Sequence, residues 1–158
     1  MLSEHRIVTV RTADPADLAA VAVIESLSFG DAWSLPSLLA ELEPDAMRMA
    51  LVAEVAGEVV GFLMSWRVAD QLHVLNLAAD PHRRRQGVGT ALLREAARRA
   101  RADGLCEVTL EVRRGNVAGR AFYRRHGFRE TGVRKGYYAD NGEDAIILDS
   151  DLAPLADG

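Results

Sequence analysis

The sequence lacks the cysteine pairs, the long apolar stretches and the positive net charge that are typical of particular protein classes. Its 158 residues include one cysteine, Cys106. No disulfide can therefore form within the chain, and a reducing compartment suits it. No stretch approaches the roughly 20 apolar residues that span a membrane, and the first ten residues lack the long apolar core of a signal peptide. The net charge of -4 argues against broad nucleic-acid binding. These absences predict a cytoplasmic protein without membrane or nucleic-acid partners.

Signatures for metals and for common nucleotide folds are also missing. His73, His82 and His126 have no ligand-like spacing to one another, so we expect no metal site. No Gly-Lys-Ser/Thr sequence of a P-loop is present, and no third glycine completes a dinucleotide fingerprint. Whatever the chain binds, it uses a different sequence pattern.

Length and hydrophobic pattern predict one α/β domain over residues 1–152, followed by a loose tail over 153–158. Asp14 and Ser34 are good N-caps for the first two helices, and Gly104 suits the end of the third. Strands are predicted at 6–11, 49–55, 58–68, 72–79, 107–113, 128–133 and 144–148, and helices at 16–27, 34–42, 91–102 and 117–126. The three central strands before the third helix should form an antiparallel meander.

The stretch between the strand 72–79 and the helix 91–102 has the composition of a phosphate site. Three arginines precede Gln86-Gly87-Val88-Gly89-Thr90. Glycines without Cβ atoms allow a ligand to approach the first amides of a helix closely, and guanidinium groups match phosphate oxygens. An ordinary turn with solvated arginines would look similar, so this motif alone does not decide between the two readings.

This stretch resembles the acyl-CoA signature of the GNAT N-acetyltransferases, Gln/Arg-x-x-Gly-x-Gly/Ala. A second similarity lies downstream, in Leu110-Glu111-Val112-Arg113-x-x-Asn116 and in Ala121-Phe122-Tyr123-x-x-x-Gly127-Phe128. Asn76 to Pro81 and Tyr137-Tyr138 extend the resemblance to the RimI-type ribosomal protein alanine N-acetyltransferases, over about residues 6–152. The resemblance implies the GNAT fold, a mostly antiparallel mixed sheet of about seven strands flanked by about four helices.

The resemblance also implies roles for individual residues. The general base would be Glu111 and the general acid Tyr123. Trp33 and Tyr137 would border the acceptor peptide. The residues implied in binding acetyl-CoA, a co-substrate, are Leu77, Ala78, Ala79, Arg84, Arg85, Gln86, Gly87, Val88, Gly89, Thr90, Asn116 and Tyr123. Simpler roles exist for some of them: Asn116 as a helix cap, Glu111 as a solvated strand residue and Tyr123 as a half-buried amphipathic tyrosine.

The implied reaction transfers acetyl from acetyl-CoA to the N-terminal α-amine of a protein, such as the terminal alanine of a small-subunit ribosomal protein. A monomer or weak homodimer is expected. Two alternatives remain open at this stage: an acetyltransferase of small-molecule amines or lysine side chains, and a non-catalytic acetyl-CoA sensor. Gly30-Asp31-Ala32 stands before Trp33 where RimI-like chains commonly carry His-Pro. This departure concerns the acceptor rather than the cofactor.

Overall fold

A computed structural model describes residues 7–83 and 86–157. These residues form one seven-stranded sheet of order β1-β2-β3-β4-β5-β7-β6 and five α-helices. The strands are β1 (Val8–Thr12), β2 (Arg48–Val55), β3 (Glu58–Val68), β4 (Gln71–Ala79), β5 (Glu107–Arg113), β6 (Arg129–Arg134) and β7 (Ala145–Asp151). The helices are α1 (Leu18–Ser28), α2 (Leu35–Leu42), α3 (Val88–Ala102), α4 (Val117–Arg125) and α5 (Leu152–Asp157). The predicted mixed α/β architecture is confirmed.

Local sequence explains where several elements begin and turn. The side chain of Asp14 accepts a hydrogen bond from the Ala16 amide, and the Asp17 side chain accepts one from the Asp14 amide, which together form a capping box before α1. Ser34 caps α2 as predicted. Between β2 and β3, Ala56 and Gly57 have φ of 53° and 78°. Two successive positive φ values are typical of a two-residue hairpin turn.

The described residues group into two compact units, and the number of domains stays a prediction. The first unit holds the residues up to Ser65 and those of Asn76–Ala96. Its β1 and β2 pair antiparallel, with Val8 opposite Val55. Its core is formed by the buried residues Ala13, Val21, Ile24, Leu38, Leu42, Val52, Phe62, Met64 and Ala78.

The second unit holds Trp66–Leu75 and the residues from Ala97 onward. Here β5 pairs parallel with β4 over Gln71–Val74 and antiparallel with β7 over its whole length. Even-numbered residues of β5 are buried, whereas the odd-numbered ones are partly exposed. This alternation puts Glu107, Thr109, Glu111 and Arg113 on a common face.

The prediction of a loose tail over 153–158 is wrong for the described residues 153–157. Residues Leu152–Asp157 form α5, in which Leu152 and Leu155 are buried. The amide of Leu152 donates to the carbonyl of Cys106, and Arg101 pairs with Asp157 at 2.6 Å. The segment is too short for a helical period to be read from its sequence, so its tertiary contacts decide its structure. No helix in the described part of the chain is long and apolar enough to cross a membrane.

Candidate active site

The predicted phosphate loop leads directly into α3, which starts three residues earlier than the sequence pattern predicted. Gly87 has φ of 74°, a left-handed conformation that favours glycine. The amide of Ala91 donates to the Gly87 carbonyl at 2.9 Å, so the first turn of α3 contains Val88, Gly89 and Thr90. The first amides of a helix lack intrahelical carbonyl partners and carry partial positive charge. The predicted Arg84 and Arg85 lie outside the described residues.

A glycine that the sequence analysis did not single out determines how α3 starts. A Cβ on Gly61 of β3 would lie 2.5 Å from Val88 Cγ1, 3.0 Å from the Ala78 carbonyl oxygen and 3.2 Å from Leu92 Cδ1. The absence of a side chain therefore lets the start of α3 and the end of β4 approach β3 closely. Leu77, Ala78 and Ala79 are the last residues of β4 and follow its segment paired with β5.

Trp33 lies in the segment between α1 and α2, half-buried against the core of the first unit. Its backbone amide donates to Glu25 Oε1 at 3.2 Å, and the Asn76 side chain donates to Glu25 Oε2 at 2.6 Å. Burial raises the pKa of Glu25, and the hydrogen bonds from Trp33 and Asn76 partly offset that rise.

Glu111 on β5 is part of a charged cluster. Its Oε2 lies 2.7 Å from His73 Nε2, and its Oε1 lies 3.5 Å from Arg134 Nε. The hydrogen bond with His73 lowers the pKa of Glu111, burial opposes this effect, and the Arg134 charge adds to it. The carboxylate is therefore ionised at neutral pH.

The sequence pattern tests His73 only as a metal ligand and does not predict its hydrogen bond with Glu111. The signal in the sequence was a polar residue between Leu72 and Val74, both buried in β4. Glu111 and His73 lie on neighbouring parallel strands, which brings them together. No group of three His, Cys, Asp or Glu side chains in residues 7–83 and 86–157 is arranged to hold a metal ion.

Tyr123 lies in α4 and is 8% exposed. Its ring makes edge-on contacts with Phe122 at 5.1 Å and Phe128 at 5.2 Å between centroids. Burial raises the pKa of Tyr123 well above the ordinary value of tyrosine. The hydroxyl is therefore protonated at any physiological pH and acts as a hydrogen-bond donor.

Asn116 is the N-cap of α4, with its Oδ1 accepting from the Gly119 amide at 2.9 Å. The predicted cap role is thus confirmed, whereas its cofactor role stays a prediction. Because the cap uses the side-chain carbonyl oxygen, the amide nitrogen is the group that would donate to a cofactor.

A set of contacts around Arg113 holds the loop between β6 and β7. Its guanidinium donates to both carboxylate oxygens of Asp140 at 3.1 Å and to Glu143 at 3.2 Å. It also lies 3.9 Å from the centre of the Tyr138 ring. The neighbouring Tyr137, predicted to border the acceptor, is 50% exposed. The loop is therefore fixed to the end of β5, two residues beyond Glu111, and presents an aromatic ring to solvent.

Comparison with known proteins gives consistent matches over most of the chain. The model of the Acetyltransferase (GNAT) family matches residues 14–128. The chain is 32% identical over 142 residues to the ribosomal protein bS18-alanine N-acetyltransferase of Escherichia coli strain K12, covering 89% of this chain and 95% of that one. It is 34% identical over 139 residues to a Bacillus subtilis strain 168 protein provisionally given the same activity, with coverages of 88% and 92%. The fold resembles the crystal structure of the ribosomal-protein-S18-alanine N-acetyltransferase from Escherichia coli, with a TM-score of 0.84, 30% identity and coverages of 92% and 94%.

Proposed function

Because the chain belongs to the GNAT family and is an acetyl-CoA-dependent N-acetyltransferase, we propose that its acceptor is a protein N-terminal α-amine. The substrate we infer is the N-terminal alanine of a bS18-like ribosomal protein. The observation that carries this proposal is the similarity to bS18-alanine N-acetyltransferases across about nine-tenths of both chains. The hydrogen-bonded pair of His73 and Glu111 provides the acid–base chemistry that such a reaction needs.

Most of the residues that the resemblance implies in cofactor binding belong to the first unit. Backbone groups of Leu77, Ala78 and Ala79 would pair with the pantetheine arm as if it were an added strand. The amides at the start of α3, from Gln86 to Thr90, would donate to the pyrophosphate. Gly87 allows this approach because it holds a positive φ without a side chain. Arg84 and Arg85 would add charge, and Asn116 would add an amide donor.

The reaction joins the amine nitrogen to the acetyl carbon, breaks the carbon–sulfur bond and transfers one proton from the amine. The amine must be neutral to attack. At pH 7 roughly a tenth of peptide α-amines are neutral, against fewer than about one in a thousand lysine side chains. A modest base is therefore enough for an α-amine.

We assign the base to the pair of Glu111 and His73. An ionised Glu111 accepts from Nε2 of His73, so Nδ1 is the ring nitrogen that would face the amine proton in this proposal. Glu111 then takes the proton itself or stabilises the imidazolium formed by His73. Either role uses an ionised carboxylate, which the hydrogen bond with His73 favours.

Tyr123 would stabilise the leaving thiolate. Its raised pKa makes it a poor source of a full proton for a thiolate, since thiols ionise near pH 8.5. A donor of this kind stabilises the departing sulfur through a hydrogen bond. The proton removed from the amine can then reach the thiolate through solvent.

The family resemblance implies Trp33 and Tyr137 as the residues that border the acceptor. Different contacts hold the two segments in place. Glu25 accepts a hydrogen bond from the amide of Trp33, and Arg113 anchors the loop that carries Tyr137. Aromatic side chains offer contact area at low cost in conformational entropy, which suits a short extended peptide.

The test is a set of matched peptides with CoA release as readout. One peptide has the bS18-like N-terminal alanine and no lysine, a second has the same sequence with a blocked N-terminus, and a third is blocked but carries lysine. Free polyamines complete the set. We expect turnover of the first peptide alone. Preference for the blocked lysine peptide or for polyamines would replace the proposal with the small-molecule or lysine alternative.

A further inference from the structure

Glu25 is a buried carboxylate for which the proposed chemistry has no use. It lies in α1, is 1% exposed, and accepts two hydrogen bonds from segments distant in sequence. One donor is the backbone amide of Trp33, eight residues downstream, and the other is the side chain of Asn76, 51 residues downstream. Burying an ionisable group costs free energy unless its partners compensate, so this position needs an explanation.

The chemistry of the two donors requires two acceptor atoms at position 25. A carboxylate provides two acceptor oxygens, whereas a glutamine provides one oxygen and a nitrogen that only donates. With glutamine, an NH₂ group would face the Asn76 amide, which would have to turn over to present its oxygen. A helix that needed only a polar side chain at this point would accept glutamine equally well.

The two donors belong to the parts of the first unit that would meet the two substrates. Trp33 lies in the segment proposed to border the acceptor. Asn76 immediately precedes Leu77, whose backbone is proposed to pair with the cofactor. Glu25 also closes the end of α1, since its backbone carbonyl accepts from the amide of Phe29 at 3.0 Å. One side chain therefore connects the acceptor segment to the cofactor strand.

We propose that Glu25 is a positioning residue for the acceptor: by holding the Trp33 amide and the Asn76 side chain together, it sets where the acceptor peptide lies relative to β4. This inference rests on the proposed function for the identity of the acceptor. The carboxylate contacts no reacting atom. Its effect should therefore appear in the KM of the acceptor and not in the affinity for acetyl-CoA.

The test exchanges the two partners. E25Q puts an NH₂ group against the Asn76 amide, which must turn over to accept from it, and N76D places two carboxylates together. The double variant E25Q/N76D restores one donor and one acceptor in reversed order. Because hydrogen bonds to a charged group are among the stronger ones, each single change should raise the acceptor KM by about tenfold or more. The acetyl-CoA KM should change by less than about threefold, and the double variant should recover most of the acceptor KM.

E41Q is the matched control, because Glu41 is a second buried glutamate, 8% exposed, on α2 of the same unit. It should change stability without changing the ratio of the two KM values. If E25Q raises both KM values together, or lowers the melting temperature alone as E41Q does, Glu25 is a structural residue and the proposal fails. A folded double variant that keeps the single-variant KM would overturn it as well.

A second readout needs no turnover. The chain has two tryptophans, Trp33 and Trp66, so W66F leaves Trp33 as the sole tryptophan reporter. In that background E25Q and N76D should increase acrylamide quenching of Trp33, and the exchange should reverse it. This measurement tests the positioning role even when no peptide in the acceptor set is acetylated, because quenching reports on the Trp33 segment itself. Unchanged quenching in both single variants would refute the positioning role. If E25Q does not fold, N76A takes its place, because it breaks the same hydrogen bond without adding charge.

Discussion

At the scale of single residues, the proposed mechanism depends on Tyr123 and Glu111. Their surroundings shift their pKa values in opposite directions. Tyr123 is buried and kept protonated, whereas Glu111 is hydrogen-bonded to His73 and kept ionised. Each group is thereby held in the protonation state that its proposed role requires. Substitutions that keep shape and change only the ionisable atom are the natural tests.

Tyr123→Phe keeps the ring and its contacts with Phe122 and Phe128 but removes the donor. Turnover should fall by about 10²–10³-fold, the usual contribution of one positioned hydrogen-bond donor to a developing charge. Acetyl-CoA should bind with unchanged affinity, measured by calorimetry on the same preparation. Full activity in this variant would show that the leaving thiolate is served by another donor or by water.

Glu111→Gln should change the shape of the pH–rate profile. Without the carboxylate, the rate depends on the fraction of amine already neutral, which rises as pH approaches the α-amine pKa of about 7.7–8.0. The loss relative to wild type should therefore be largest at low pH and shrink as pH rises. His73→Gln, measured in parallel, should show the same trend if the two side chains act as a pair. A constant loss at every pH would assign Glu111 to substrate orientation alone.

At the scale of elements, close packing determines the position of the cofactor loop. The first turn of α3 lies against β3 where Gly61 has no side chain. Its proposed phosphate-binding amides are therefore positioned by a strand 26 residues upstream of Gly87. This coupling between packing and binding makes Gly61 a sensitive position although it touches no proposed ligand.

Gly61→Ala should displace the start of α3, because the added Cβ would lie 2.5 Å from Val88 Cγ1. Overpacking of this kind costs about 1–3 kcal/mol of stability. A shift of part of an ångström in the loop should weaken acetyl-CoA binding on the order of tenfold.

The matched control is Gly30→Ala. A Cβ there meets nothing within 4 Å, and Gly30 does not have a positive φ. It should leave both the melting temperature and the acetyl-CoA affinity close to wild type. Equal behaviour of the two variants would mean that Gly61 does not determine the geometry of the loop.

At the scale of the whole molecule, several carboxylates have low pKa values because each accepts hydrogen bonds. Asp17 accepts from Arg11, Glu111 from His73, Glu130 from Arg120, and Glu143 chiefly from the Gly115 amide. A carboxyl whose pKa is lower in the folded state stabilises that state above its unfolded pKa, and this stabilisation is lost as pH falls. The chain should therefore lose stability in acid.

We expect the free energy of unfolding to decline as pH falls below about 4, in urea titrations between pH 6 and 3. Asp17→Asn should lower stability at pH 6 and flatten this decline, because Asp17 would no longer take up a proton on unfolding. Glu25 has a raised pKa, so it takes up its proton first in the folded state and adds stability as pH falls towards its ordinary value of 4.5; Glu25→Gln should remove this gain. A decline that neither substitution alters would show that other groups control acid unfolding.

The sequence by itself determined most of the elements and the family. Alternating apolar residues predicted β5, Ser34 predicted the start of α2, and Ala56 and Gly57 predicted the turn between β2 and β3. Asp14 caps the short 3₁₀ turn Pro15–Asp17 that leads into α1, so the predicted first helix began two residues early. Such signals are local, because caps, turns and periodicity act over a few residues. The glycine loop and the segment around Glu111 were recognisable for the same reason, since each is a short contiguous motif.

Only the tertiary structure decided which distant side chains meet. His73 and Glu111 are 38 residues apart, and Glu25 and Asn76 are 51 apart. Gly61 matters only because Val88 and Leu92 pack against it, and α5 exists because Leu152 and Leu155 are buried. Strand pairing and helix packing create these contacts between segments whose local patterns are independent of one another. The residues expected to control protonation and acceptor placement therefore act through contacts that could not be predicted from the sequence.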